Sequence, residues 1–198
     1  MSRFIESIKL LDGKFYNLSY HEARMSRTLR DHYGSRSPID LQKFLFDQAF
    51  PSSGLYKCRI VYDIDTTDVK YSPYTAKRIE RIRVIEADGI SYAYKYEDRQ
   101  VIDRLFDQRG NCDDVLIVRN GNITDCSFSN IAFWKDHKWY TPLSPLLKGT
   151  MRQRLIDTNK LEAAEIRVED LRSFERFKLI NAMLEFNGPE IEVSEIVL

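Results

Sequence analysis

The sequence is poor in the residues that staple a small protein. Its three cysteines, Cys58, Cys112 and Cys126, form no CxxC pair, and with the three histidines His21, His32 and His137 they form no ligand cluster. That spacing argues against a disulfide framework and against a metal site. Net charge is also missing: 30 Lys plus Arg balance 30 Asp plus Glu in 198 residues. A neutral chain has no global attraction for a phosphate backbone or an anionic membrane, so neither nucleic acid nor membrane is expected as a partner. No apolar run reaches the roughly 18 residues that span a bilayer, and the opening MSRFIESIKLLDGK mixes charged and apolar residues where a leader would have an apolar core. A cytoplasmic location is expected.

Apolar area is plentiful, with 43% hydrophobic residues, 11 Tyr, 11 Phe and 2 Trp. Such a chain can be held by its core. Asp12-Gly13 between RFIESIKL and KFYNL reads as a tight hairpin turn. Ser19 with Glu22 three residues on reads as a capping box that opens a helix, and Gly34 reads as its left-handed stop. Ser37-Pro38 reads as the start of a second helix with Leu41, Phe44, Leu45 and Phe50 in one stripe. From Leu55 the period changes to two, giving paired strands that close at Pro73. The polar SPYTAKR then marks a linker near residues 74–78, between an N-terminal domain (1–73) and a C-terminal domain (79–198). Beyond it come the strand RIRVIEAD, a helix with Val101, Ile102, Leu105 and Phe106 inward, and hairpins turning at Asn120-Gly121 and Asp136-His137. A helix entered through Gly149 follows, and then the strands EIRVE, FKLINA and EIEVSEIVL. The pattern predicts an α+β fold of two small strand-rich domains with inserted helices.

Composition names no reaction, but one stretch does. Residues 112–155 contain, in order, an acidic strand entry, the run Thr124-Asp125-Cys126-Ser127-Phe128-Ser129-Asn130, Tyr140-Thr141-Pro142, and Gly149-Thr150-Met151-Arg152-Gln153. Upstream stand YKYEDRQVIDRL and FIESIKLLDGKFYNLSYHEARM. Together these resemble the class IV aminotransferases, pyridoxal-phosphate enzymes of fold type IV with the D-amino acid aminotransferase-like fold. Within that family the pattern is most similar to that of 4-amino-4-deoxychorismate lyase. The chain begins near the family's second or third strand, so the resemblance implies a shortened N-terminal domain.

The resemblance implies roles residue by residue. Lys95 falls where the family carries the lysine that forms the aldimine with the cofactor and then shuttles protons; taken alone, it reads as a solvated strand lysine. Tyr94 and Tyr96 beside it are expected to wall it with apolar surface. Arg24 matches the arginine that holds the cofactor phosphate, a task suited to a planar two-point donor; alone, it reads as a surface arginine paired with Glu22 or Asp31. Gly149, Thr150 and Met151 match the helix start whose backbone N–H groups complete the phosphate cup, with glycine allowing close approach. Asp125 stands where the family usually has a glutamate facing the pyridine nitrogen, one methylene shorter. Ser127 and Asn130 are assigned strand-turn support near the cofactor. Arg99, with Asp98 in place of the family's Asn, is assigned either to the cofactor or substrate surroundings or to a helix-start salt bridge. His21 reads as a packing residue.

The implied activity is a lyase that releases pyruvate and 4-aminobenzoate from a small carboxylated amine, with pyridoxal phosphate as cofactor and a homodimer as the working form. A branched-chain or D-amino acid transaminase would use the same cofactor shell. A non-catalytic dimeric binding module is the reading from outside enzymology, since fold does not fix function.

Overall fold

The computed structural model describes residues 2–34 and 40–198. The chain forms two compact units: residues 1–76 with 94–98, and residues 77–93 with 99–198. The short segment 94–98, which carries Lys95, therefore belongs to the first unit.

The first unit contains β1 (Phe4–Leu11), β2 (Lys14–Phe15), α1 (Leu18–Tyr33), α2 (Leu41–Phe46), β3 (Leu55–Tyr62) and β4 (Thr67–Pro73). Its antiparallel sheet has the order β2-β1-β3-β4. The β1–β2 turn is built on Asp12 and Gly13, both at positive φ, the geometry that an Asp-Gly pair supplies with least strain. Phe4, Ile8 and Leu10 are fully buried with Met25 of α1 and Leu41 and Leu45 of α2. Helix α1 starts earlier than the capping-box reading places it. Asn17 in the left-handed region precedes it with no side-chain cap, and Glu22 accepts from Leu41 N at 3.3 Å. Glu22 thus ties α1 to α2, a long-range use that local spacing does not reveal. Gly34 ends α1 at φ 67° as expected. The expected start of α2 at Ser37-Pro38 lies outside the described residues. Asp40 caps the helix by accepting from Lys43 N at 2.8 Å, worth about 1 kcal/mol.

The second unit contains β5 (Ile82–Glu86), α3 (Gln100–Phe106), β6 (Asp114–Arg119), β7 (Asn122–Cys126), β8 (Asn130–Lys135), β9 (Lys138–Pro142), α4 (Thr150–Asp157), β10 (Glu162–Ala164), β11 (Arg176–Ile180), β12 (Ile191–Glu192) and β13 (Ile196–Val197). Two sheets form, β10-β9-β8-β11-β12 and β13-β5-β6-β7. Leu116, Val118 and Ile123 of the second sheet share one apolar core with Ile131, Phe133, Phe177 and Leu179 of the first. Two expectations are corrected. Val101 is half exposed while Ile102 is buried, because α3 has only seven residues and presents a single narrow face. EIRVE is not a strand: β10 ends at Ala164, and Val168–Ser173 winds into a 3₁₀ helix after Asn122 bridges Arg167.

Candidate active site

The first unit buries a carboxylate where the strand pattern calls for a hydrophobe. Phe4, Glu6, Ile8 and Leu10 share the core face of β1, and Glu6 is fully buried. An unpaired carboxylate there would cost several kcal/mol. Helix α1 compensates by presenting His21 and Arg24 one turn apart. Arg24 donates Nε to Glu6 Oε1 at 2.8 Å and Nη2 to Oε2 at 2.5 Å, a two-point fork. His21 Nδ1 lies 2.6 Å from the same Oε2. Since an ionised carboxylate only accepts, this contact places the His21 proton on Nδ1.

Burial pushes the Glu6 pKa up, but the charge and hydrogen bonds of Arg24, with help from His21, overturn that and hold it at about 2. His21 is lowered from its ordinary value, chiefly by burial and with Arg24 and Lys95 as neighbouring positive charges; Glu6 opposes the shift. Arg24 is therefore an interior residue that Glu6 holds through Nε and Nη2.

Lys95 sits beside this cluster in the same unit. Strand β2 covers only Leu10 and Leu11 of β1, so the start of β1 takes the 94–98 segment along its edge. Ile5 N donates to Lys95 O and Glu97 N donates to Arg3 O, each at 2.8 Å, around a bridge between Phe4 and Tyr96. Tyr96 N also bonds Tyr94 O at 3.0 Å, which puts Lys95 at the apex of a γ-turn rather than in a strand. The rings of Tyr94 and Tyr96 gather on Phe4 and His32.

In the second unit, Asp125 is placed by a β-bulge. The β6–β7 register shifts between Leu116 and Val118, so Thr124 and Asp125 together stand opposite Ile117. The bulge breaks the alternation, and residues 123–127 are all buried. Asp125 Oδ1 accepts from Asn130 Nδ2 at 2.6 Å, and Oδ2 accepts from Leu147 N at 2.8 Å. Burial raises its pKa to about 6 against these bonds and the charge of Arg152.

Asn130 also donates to Leu147 O at 2.9 Å, which clamps the loop before α4. The need for glycine at 149 follows from this clamp. Gly149 has an ordinary extended conformation, φ −69° and ψ 142°, but a Cβ there would collide with Asn130 Oδ1. The close approach is therefore that of the Asn130 side chain. No side chain caps α4. Met151 packs its side chain into a small core with Ala132, Leu155 and Ile180, so only its backbone can face a ligand. Thr150 is buried beside it.

Ser127 is drawn elsewhere. Its hydroxyl and N–H both bond the buried Asp114, which opens β6. Arg99 donates to Ser127 O at 2.8 Å, stands over the Phe128 ring at 4.5 Å and lies 3.6 Å from Asp103. It holds the β7–β8 turn from the start of α3.

Three residues escape a sequence-only reading. Glu6 could have been found as an acid interrupting the apolar parity of β1. Asp114 could have been found as an acid at the head of a continuous apolar strand. Arg152 carries no such signal: it is buried, donates Nη2 to Pro142 O at 2.8 Å, and its Nε has no hydrogen-bond partner. Among the described residues no group of His, Cys, Asp or Glu is arranged to hold a metal ion, and no helix is long and apolar enough to cross a membrane.

The fold and these clusters define a family. Residues 96–187 match the amino-transferase class IV family, from one residue after Lys95 through Asp125, Asn130 and Gly149. The chain belongs to the class IV aminotransferases, pyridoxal-phosphate-dependent enzymes of fold type IV. It is 38% identical over 186 residues to an uncharacterized protein of Haemophilus influenzae, covering 92% of this chain and 98% of that one. A crystal structure from Haemophilus somnus, of a protein provisionally named a 4-amino-4-deoxychorismate lyase, superposes with a TM-score of 0.87 at 34% identity, over 92% of this chain and 97% of that chain. A hypothetical aminotransferase of Mycobacterium tuberculosis, in its PLP-bound form, shares the fold with a TM-score of 0.74 at 18% identity, over 96% of this chain and 80% of that chain. The short length is thus common to both Haemophilus proteins, and the mycobacterial chain is longer.

The residues present suit the cofactor. A phosphate needs fixed cationic or N–H donors: in the first unit Glu6 holds Arg24 as such a cation, and in the second the start of α4 carries no side-chain cap. The Gly149 position, closed to any side chain by Asn130, keeps that start bare.

Proposed function

We propose that this protein is a pyridoxal-phosphate-dependent lyase that converts 4-amino-4-deoxychorismate to 4-aminobenzoate and pyruvate. The observation that carries the reading is the near full-length likeness, at 34% identity, to the Haemophilus somnus protein given that name. When bound, pyridoxal phosphate supplies the electron sink for a carbon that loses its proton beside the amine. Lys95 would then have two tasks: its Nζ would hold the cofactor and, when free of it, would take the ring proton next to the substrate amine. The C–O bond to the enolpyruvyl group breaks as the ring becomes aromatic, and the departing enolpyruvate gains a proton to become pyruvate. Arg24 would hold the phosphate, and the backbone N–H groups of residues 149–151 would be donors suited to the same anion. Asp125 keeps a proton on the pyridine nitrogen, a role in which its ionised form is needed. With a pKa of about 6 it is mostly ionised at neutral pH.

The same reading makes the protein a cytoplasmic homodimer acting on a small carboxylated amine and serving folate biosynthesis. The test is product analysis. Purified protein given 4-amino-4-deoxychorismate should release 4-aminobenzoate, followed by its fluorescence, together with one equivalent of pyruvate. Conversion of the cofactor to its pyridoxamine form by amino acids, with no pyruvate released, would assign a transaminase instead. Sedimentation at micromolar protein tests the dimer.

A further inference from the structure

Glu6 has no place in the reaction just described, yet it is the most committed carboxylate in the first unit. It is fully buried on β1, takes both Nε and Nη2 of Arg24, and accepts from His21 Nδ1 through Oε2. We infer that Glu6 is a positioning residue for phosphate recognition: it fixes the Arg24 guanidinium so that the opposite edge meets the cofactor phosphate in one orientation. This rests on the reading of Arg24 as the phosphate ligand.

The geometry supports the role in three ways. First, a guanidinium is planar, so fixing its Nε/Nη2 edge at two points fixes the plane and direction of its Nη1/Nη2 edge as well. Second, Glu6 sits on the central part of a strand rather than a loop, opposite Ile60 of β3 in the register, which gives the fork a rigid base. Third, His21 occupies Oε2 from the preceding turn of α1, so rotation of the carboxylate away from Arg24 would break a second hydrogen bond. An arginine already ordered before the ligand arrives loses less conformational freedom on binding, and the gain appears as affinity for the phosphate alone. A carboxylate that merely filled the core would affect every form of the cofactor equally.

Titration of cofactor-stripped protein with pyridoxal phosphate and with pyridoxal, which lacks the phosphate, separates the two roles. The wild type should prefer the phosphorylated form strongly. Glu6→Gln, which keeps the shape but loses the ionic fork, should narrow that preference by about tenfold while leaving pyridoxal affinity unchanged. Glu6→Asp, which keeps the charge but cannot span both contacts, should narrow it too and serves if the amide variant does not fold. A folded Glu6 variant with the wild-type preference intact would overturn the inference alone. A wild type that does not distinguish the two ligands would overturn the assignment of Arg24 to the phosphate, and the inference with it.

Discussion

Asn130 joins Asp125 to Gly149. Its Nδ2 donates to Asp125 Oδ1 at 2.6 Å, and its Oδ1 stands where a side chain at position 149 would have to go. The acid and the start of α4 are thereby coupled through a single amide.

That coupling makes Gly149→Ala costly even though its backbone angles suit alanine. The added methyl should push Asn130 off Asp125 and lower stability by about 1–3 kcal/mol, read by urea denaturation. Adding Asn130→Ala should make the second change cheaper than it is in the wild type, because the two effects share one contact. Simple additivity in the double variant would show that the contact is not the cause.

Glu6 and His21 should both weaken the fold on acidification. Both have folded pKa values below their unfolded ones, so each contributes stability at higher pH that is lost on acidification. For His21 the loss begins as pH falls below about 6.5. For Glu6 it runs from 4.5 down to about 2 and amounts to about 3 kcal/mol. Urea midpoints should fall as pH drops from about 4.5 toward 2, and Glu6→Gln should flatten that fall.

Asp125 runs the other way. Burial raises its pKa from 3.8 to about 6, so its contribution is full below 3.8 and is lost as pH rises through about 6. Relative to wild type, Asp125→Asn should therefore gain stability as pH rises from 4 to 6. It should also lose about 100-fold in turnover at neutral pH with the cofactor still bound. Unchanged turnover would remove Asp125 from the chemistry.

The turns were the most legible part of the sequence, and one offers a stability gain. Asp12-Gly13, Asn120-Gly121 and Asp136-His137 all adopt positive φ at both positions, as the residue pairs suggest. His137, at φ 61°, is the one bulky residue among them. His137→Gly should raise stability by about 0.5–1 kcal/mol by relieving left-handed strain, read as a higher melting temperature.

The family signature was equally legible, because short ordered motifs survive without knowledge of the fold. What stayed hidden depends on contacts distant in sequence. Glu22 reads as a local cap but serves Leu41, the helix-facing parity of β1 gives Glu6 its partners on α1, and Asp125 is aimed by a bulge whose only sign is a register shift against β6. The glycine at 149 was visible, but its reason, the Asn130 amide, lay 19 residues upstream. Val101 misled because a helix pattern fixes a face but not how much of it is covered.

The central claim is that Lys95 carries the cofactor, and borohydride reduction followed by peptide mass spectrometry tests it most directly. The purified protein should be yellow, reduction should leave a pyridoxyl group on the peptide containing Lys95, and Lys95→Ala should carry none. A cofactor fixed to another lysine, or a protein that takes up none when pyridoxal phosphate is added, would contradict the account.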